Sequence, residues 1–128
     1  MKNQNKIREL GNKERAIDIK DLVLSCLDRD KAEDVTLIDL EGKADFAHFM
    51  VVASGRSTRH VNSLAEKILA DIKNEGFGGV GVEGMKEGNW VLIDALDVVI
   101  HIFIPEVREN YNIEKMWNFT LPVERTEA

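Results

Sequence analysis

The sequence predicts a single α/β domain, a mixed β-sheet flanked by helices, and three observations lead there. Apolar residues recur at helical spacing in some segments and in short unbroken runs in others, in the order α-β-β-α-β-β-β-α. The last two runs are separated only by Asp94-Ala95-Leu96-Asp97, a spacer that suits an antiparallel hairpin and is too short for a crossover. The 128 residues suffice for one core of ordinary size and leave no room for a second domain.

Residues 1–12 are polar and basic and read as a flexible N-terminal segment, residues 13–118 as the folded domain, and residues 119–128 as a polar tail. Helical periodicity begins near Lys13. Ile19, Leu22, Val23, Cys26 and Leu27 fall on one stripe, which the Asp28-Arg29-Asp30 cluster ends. Residues 35–40 carry apolar side chains on both faces, the pattern of an inner strand covered on both sides. A turn at Glu41-Gly42-Lys43 leads to a second apolar run, residues 49–53. Val61, Leu64, Ala65, Ile68, Leu69 and Ile72 then form a broad helical stripe, with Ser57 placed as N-cap and Gly76 as the stop. Residues 76–88 hold six glycines and enclose a short strand at 80–83. The hairpin strands follow at 90–93 and 98–104. Pro105 ends the last of them and suits the first position of a short helix, with Glu106 favourable at its positive end. A further helical turn is expected over residues 112–117.

Composition excludes several classes. Val98 to Ile104 is the longest apolar stretch, far short of the ~20 residues that span a bilayer, and the first twenty residues lack a secretory h-region. Cys26 is the only cysteine, so no internal disulfide can form, and a reducing, cytoplasmic setting is the simplest expectation. The net charge of −6 is unevenly placed: residues 1–20 carry six basic and three acidic side chains, residues 74–128 four basic and ten acidic. Nucleic-acid binding leans on neutralising phosphates, for which the second half is poorly supplied. An acidic half suits a basic partner, or simply keeps the chain soluble.

No catalytic constellation emerges. The Ser54-Gly55-Arg56-Ser57 turn enters a helix, where backbone amides can cradle a phosphate, and Arg56, Arg59 and His60 add positive charge. It lacks both the Gly-Lys-Ser/Thr of a P-loop and a G-x-G-x-x-G. Asp28 with Asp30, and Asp94 with Asp97, are the close aspartate pairs. The first is interleaved with Arg29 and the second brackets a turn, where aspartate bonds its own backbone. His48, His60 and His101 lack metal-ligand spacing, and His101 shares a strand face with Val99 and Phe103. No metal and no cofactor is expected.

What stands out is aromatic and apolar. Trp90 opens a hairpin strand beside the glycine-rich stretch, and Tyr111 and Trp117 follow the last strand. Trp and Tyr anchor interfaces more often than other surface residues do. The expected partner surface is therefore the hairpin and its flank: Trp90 at the centre, with Met85, Leu92, Leu96, Val98 and Ile100 around it.

The same residues carry a family likeness. Lys31-Ala32-Glu33-Asp34-Val35, Val52-Ala53-Ser54-Gly55 with Ser57 and Arg59-His60-Val61, and Val82-Glu83-Gly84 come first. Trp90-Val91-Leu92-Ile93-Asp94, Asp97-Val98-Val99-Ile100-His101-Ile102-Phe103, Arg108-Glu109-Asn110-Tyr111 and Glu114-Lys115-Met116-Trp117 follow. In this order and spacing they resemble the Iojap family of ribosomal silencing factors over residues 16–118. One departure is Ala95-Leu96, where the family pattern has an apolar or aromatic residue followed by Gly; Leu96 adopts positive φ less readily.

The resemblance implies a nucleotidyltransferase-like α/β fold without the catalytic carboxylates. It implies binding to the large ribosomal subunit, chiefly through the basic ribosomal protein numbered fourteen. It implies that this binding lies on the face where the small subunit docks, and so blocks small-subunit joining and represses translation under nutrient limitation. It also makes a homodimer plausible, while composition and charge give no DNA or membrane partner. The alternative is a small nucleotidyltransferase that binds nucleotide phosphates at the Ser54–Ser57 turn. Paired acids on the strand after that turn's helix would favour it, but Val80-Gly81-Val82-Glu83 supplies one carboxylate, not two.

Overall fold

The computed structural model describes residues 12–113. The expected flexible start, the polar tail, and Glu114, Lys115, Met116 and Trp117 lie outside the described residues, apart from residue 12.

Helix α1 (Asn12–Arg29) buries Ala16, Ile19, Val23, Cys26 and Leu27, the expected stripe extended by one turn. It ends in a Schellman motif: Lys31 N–H donates to Asp28 C=O and Ala32 N–H to Leu27 C=O, with Lys31 at φ 66°. A lysine thus holds the left-handed position that glycine usually takes. Strand β1 (Glu33–Asp39) follows, then β2 (Phe49–Ser54), whose six residues are all buried.

Helix α2 (Thr58–Asn74) begins as expected at Ser57, whose hydroxyl accepts the His60 N–H at 3.1 Å. It buries Val61, Leu64, Ala65, Ile68 and Ile72 and stops at Gly76, φ 88°, where Phe77 N–H bonds Ile72 C=O. Strands β3 (Gly81–Glu83), β4 (Trp90–Asp94) and β5 (Val98–Phe103) then run as an antiparallel meander. Helix α3 (Pro105–Tyr111) closes the described chain, with Pro105 at its start and Asn112 as a left-handed cap.

The five strands form one sheet in the order β1-β2-β5-β4-β3, parallel between β2 and β5 and antiparallel elsewhere. This is the mixed sheet expected. Helices α1 and α2 pack together on one face, α1 over β2 and β5, α2 over β4 and β5, and the main core lies between them and the sheet. On the other face a smaller apolar cluster, Ile38, Leu40, Met50, Val52 and Phe103, is bordered by Ala44, Ala47, Trp90 and Val107.

One placement differs from expectation. Strand β1 is not an inner strand but an edge, with Val35 39% and Leu37 42% exposed. Both long helices lie over the centre of the sheet, so neither covers β1. Its apolar residues are guarded by Glu33, Asp34 and Asp39, charges of the kind that keep a bare edge from pairing with other chains.

The hairpin between β4 and β5 turns at Ala95 and Leu96. Asp94 Oδ1 accepts the Leu96 N–H at 2.9 Å, and Leu96 sits at φ 68° with 54% exposure. A left-handed conformation costs a non-glycine residue roughly 1–2 kcal/mol. The Leu96 side chain reaches toward the glycine-rich loop, its Cδ1 lying 3.6 Å from where a Cβ on Gly79 would stand. Leu96→Gly should therefore leave the urea-unfolding free energy unchanged or raise it by up to about 1 kcal/mol, strain relief outweighing the small lost contact and the freer unfolded backbone. A loss larger than that would show the contact to dominate.

Candidate functional site

Strand alternation divides β4 cleanly. Val91 and Ile93 enter the helix-side core, while Trp90, Leu92 and Asp94 project from the opposite face. Register with β5 sets Trp90 against Phe103, Leu92 against His101 and Asp94 against Val99, so these six share one face. On the other side of β4, Glu83 of β3 stands opposite Leu92. The result is a partly open sheet face, aromatic at the Trp90 end and acidic toward the β3 edge, where Glu83, Glu87 and Asp94 are exposed and Lys86 is the nearby cation in sequence.

The aromatic end is tightly organised. The Trp90 indole N–H donates to His101 Nδ1 at 3.0 Å. Its ring centroid lies 4.9 Å from Phe103 and 4.7 Å from Tyr111 of α3, both tilted, within the range of favourable aromatic pairs. His101 stacks nearly parallel on Phe103, 9° between planes. The indole can only donate, so Nδ1 must accept and the imidazole is neutral with its proton on Nε2.

His101 is 8% exposed, and burial pushes its pKa down from 6.5 to about 4. In the unfolded chain the ring charges as pH falls through its ordinary value, whereas in the folded chain it resists. Stability from this residue is therefore complete above pH 6.5 and lost progressively as pH drops toward 4, on the order of 3 kcal/mol in all. Urea midpoints taken from pH 7.5 to 4 should fall in that window, and His101→Asn should flatten the fall. An equally steep fall in that variant would assign the loss to other groups.

The expected contact residues are split by the fold. Trp90 and Leu92 are half-buried on the open face, and Leu96 is exposed at the hairpin tip. Met85 lies elsewhere, in the loop between β3 and β4 and packed on the helix-side core, with its C=O accepting Asn62 Nδ2 at 2.9 Å. Val98 and Ile100 must be withdrawn as contacts. Both are 0% exposed and face α1 and α2, because alternation along β5 sends even-numbered residues into the main core. The β5 residues on the Trp90 side are Val99, His101 and Phe103, the trio whose shared face the sequence did show. Sequence reasoning missed Val99 as a half-buried surface residue and Tyr111, 58% exposed, as the partner of Trp90. The register of a hairpin anchored on Trp90 was the available signal for Val99.

Several amides around the Ser54–Ser57 turn have partners within the chain. Gly55 N–H bonds Phe103 C=O, Arg56 N–H bonds His60 Nδ1 at 2.9 Å, His60 N–H bonds Ser57 Oγ, and Val61 N–H bonds Ser57 C=O. With Nδ1 accepting, His60 Nε2 carries the proton and donates to Asp30 C=O at 3.1 Å, bracing the start of α2 against the end of α1. Arg56 leans toward Glu33 at 3.8 Å. Through these bonds the turn caps its own helix and braces it against α1.

Of the paired aspartates, Asp30, Asp94 and Asp97 have partners within the chain. Asp30 pairs with Arg29 at 3.0 Å and Lys67 at 3.5 Å, and the Arg29 hydrogen bond lowers its pKa. Asp97 meets Arg15 Nε at 3.1 Å. Among the described residues no group of His, Cys, Asp and Glu could hold a metal ion. Burial pushes the Cys26 thiol up to about 12, which leaves it an unreactive core residue.

The fold is thus a five-stranded mixed sheet with two long helices on one face and a partly open apolar and acidic surface on the other. The chain belongs to the ribosomal silencing factor family: residues 13–127 match the family described as Ribosomal silencing factor during starvation, RsfS. The ribosomal silencing factor RsfS of Zymomonas mobilis is 48% identical over 99 residues, covering 77% of this chain and 74% of that one. A crystal structure of a Chromobacterium violaceum protein superimposes with a TM-score of 0.77 at 38% identity, covering 79% of this chain and 84% of that one. The mouse protein named Mitochondrial assembly of ribosomal large subunit protein 1 is 31% identical over 100 residues, 76% of this chain and 44% of the relative.

Proposed function

We propose that this chain binds the large ribosomal subunit, chiefly through its basic ribosomal protein numbered fourteen, and blocks joining of the small subunit when nutrients are limiting. The observation that carries the reading is the open face of Trp90 and Leu92 beside the acidic Glu83–Asp94 edge, on a chain of the silencing-factor family. The name of the mouse relative, which speaks of the large subunit, points the same way. An acidic face steers a protein toward a basic partner, and an aromatic centre supplies the buried contact once it arrives.

Silencing of this kind needs no chemistry. A bound domain excludes the small subunit by its volume and stabilises the free large subunit according to its concentration over its dissociation constant. The reading is thus of a non-enzymatic protein acting in the cytoplasm, with self-association as a homodimer part of the same proposal. No described helix is long and apolar enough to cross a membrane.

The test is sucrose-gradient sedimentation of purified subunits mixed with increasing amounts of the protein before joining. Joined ribosomes should decline until about one copy is bound per large subunit, and excess small subunit should restore them. Association with the large subunit should slow as salt rises, because the steering charges are screened. Undiminished joining at saturating protein, with large-subunit binding verified, would sink steric silencing for this chain.

A further inference from the structure

A buried Trp ordinarily finds a hydrogen-bond partner for its indole N–H, and at an interface the binding partner can supply it. Here that donor is already committed within the chain, to the buried Nδ1 of His101, and His101 is itself fixed by stacking on Phe103. Tyr111 closes against the indole from α3. That helix buries none of its residues, and it is tied to the sheet by Arg108, whose guanidinium donates to Ser54 Oγ at 2.7 Å and Thr36 Oγ1 at 3.2 Å. The ring is therefore held by two neighbouring elements, with its polar atom turned inward.

We infer that His101 is a positioning residue of the docking surface: by accepting the Trp90 indole N–H it fixes the ring before a partner arrives. The partner then meets a preset apolar ring and must offer it an apolar side chain set among basic ones, not a hydrogen-bond acceptor. This rests on the reading of Trp90 as a contact made above. Ordering one large side chain during association weakens binding by about threefold to tenfold, a penalty that a preset ring avoids.

The experiment uses the full chain with Trp117→Phe, so that Trp90 alone emits, and measures its quenching by acrylamide and its affinity for purified large subunits. His101→Phe keeps a ring of similar bulk without the acceptor. It should increase quenching and weaken binding about fivefold. His101→Asn returns an oxygen near the position of Nδ1 and should bind within about twofold of the parent. In a Trp90→Phe chain, which has no indole N–H, His101→Phe should change affinity no further.

Unchanged affinity of His101→Phe, or the same loss in the Trp90→Phe chain, would overturn the inference while leaving the docking reading intact. Unchanged affinity of Trp90→Phe and Trp90→Ala would remove that reading, and the inference with it. If His101→Phe does not fold, His101→Gln takes its place, since its oxygen lies too far out to meet the indole. It should bind about fivefold more weakly than His101→Asn, and equal binding by the two would overturn the inference.

Discussion

Gly84→Ala should destabilise the domain by about 3 kcal/mol or more, the largest effect expected of an alanine at any described glycine. Gly84 lies where the chain leaves β3 for β4, at φ 93°. A Cβ there would run into the carbonyl oxygen of Trp90 and come within 3.2 Å of its carbonyl carbon and 3.3 Å of Val91 Cα. These are backbone atoms of a strand paired on both sides, so they have no rotamer through which to retreat. The alanine therefore meets two penalties together, an unfavourable backbone conformation and a collision. Gly78→Ala is the control, because nothing lies within 4 Å of its added carbon and its φ lies outside the left-handed range. It should change the urea midpoint little. A Gly84→Ala protein as stable as that control would show that β3 and its loop can shift freely off β4, and that the acidic edge is not a fixed feature of the surface.

Trp90→Ala should weaken binding to the large subunit roughly thirtyfold, the effect of losing an aromatic anchor worth ~2 kcal/mol at an interface core. The comparison that gives the number meaning is Val35→Ser on the opposite edge of the sheet, 39% exposed and four strands away from β3, which should bind as the parent does. Trp90 also packs on Phe103 and Tyr111, so its removal lowers stability as well as affinity. Urea unfolding of each variant separates the two effects, and Trp90→Phe, which keeps most of the packing, should lose affinity by a smaller factor. Co-sedimentation of Trp90→Ala at the parent's affinity, with a cooperative fold retained, would move the interface off this face.

The elements most legible in the sequence were those whose signals are local. The α2 stripe, its Ser57 cap and its Gly76 stop lie within twenty residues of one another, and the hairpin follows from a spacer too short for anything else. Strand order is a different kind of quantity. Whether residues 33–39 lie inside or at the edge depends on where two helices settle over the sheet, and apolar residues on both faces fit either outcome until that is known. The same limit explains Val98 and Ile100. Strand β5 is apolar on both faces, so alternation alone cannot say which set faces solvent. Only its pairing with Trp90 and Leu92 fixes the phase. The end of α1 was placed correctly by its charged cluster, but the left-handed Lys31 that forms the turn carries no glycine to announce it. The brace from His60 to Asp30 joins residues thirty apart and leaves no trace in local spacing.

The position of β5 has a consequence for how the protein is made. Among the described residues it is the last strand in sequence and the middle one of the sheet, bonded to β2 on one side and β4 on the other. Phe49 and its neighbours must wait for Val98 and beyond to be synthesised before they find their parallel partner. Until then β1 and β2 can form only a two-stranded ribbon, which is marginal alone. Pairing across so long a separation is also slow, since the closing loop loses entropy before contacts reward it. A nascent chain halted before Val98 lacks the strand that joins the two halves of the sheet. Trp90 in such a chain has neither His101 nor Tyr111 to hold it. The sheet is thus completed only once residues 98–103 are made, and the arrangement of Trp90 against His101 and Tyr111 is set late in synthesis.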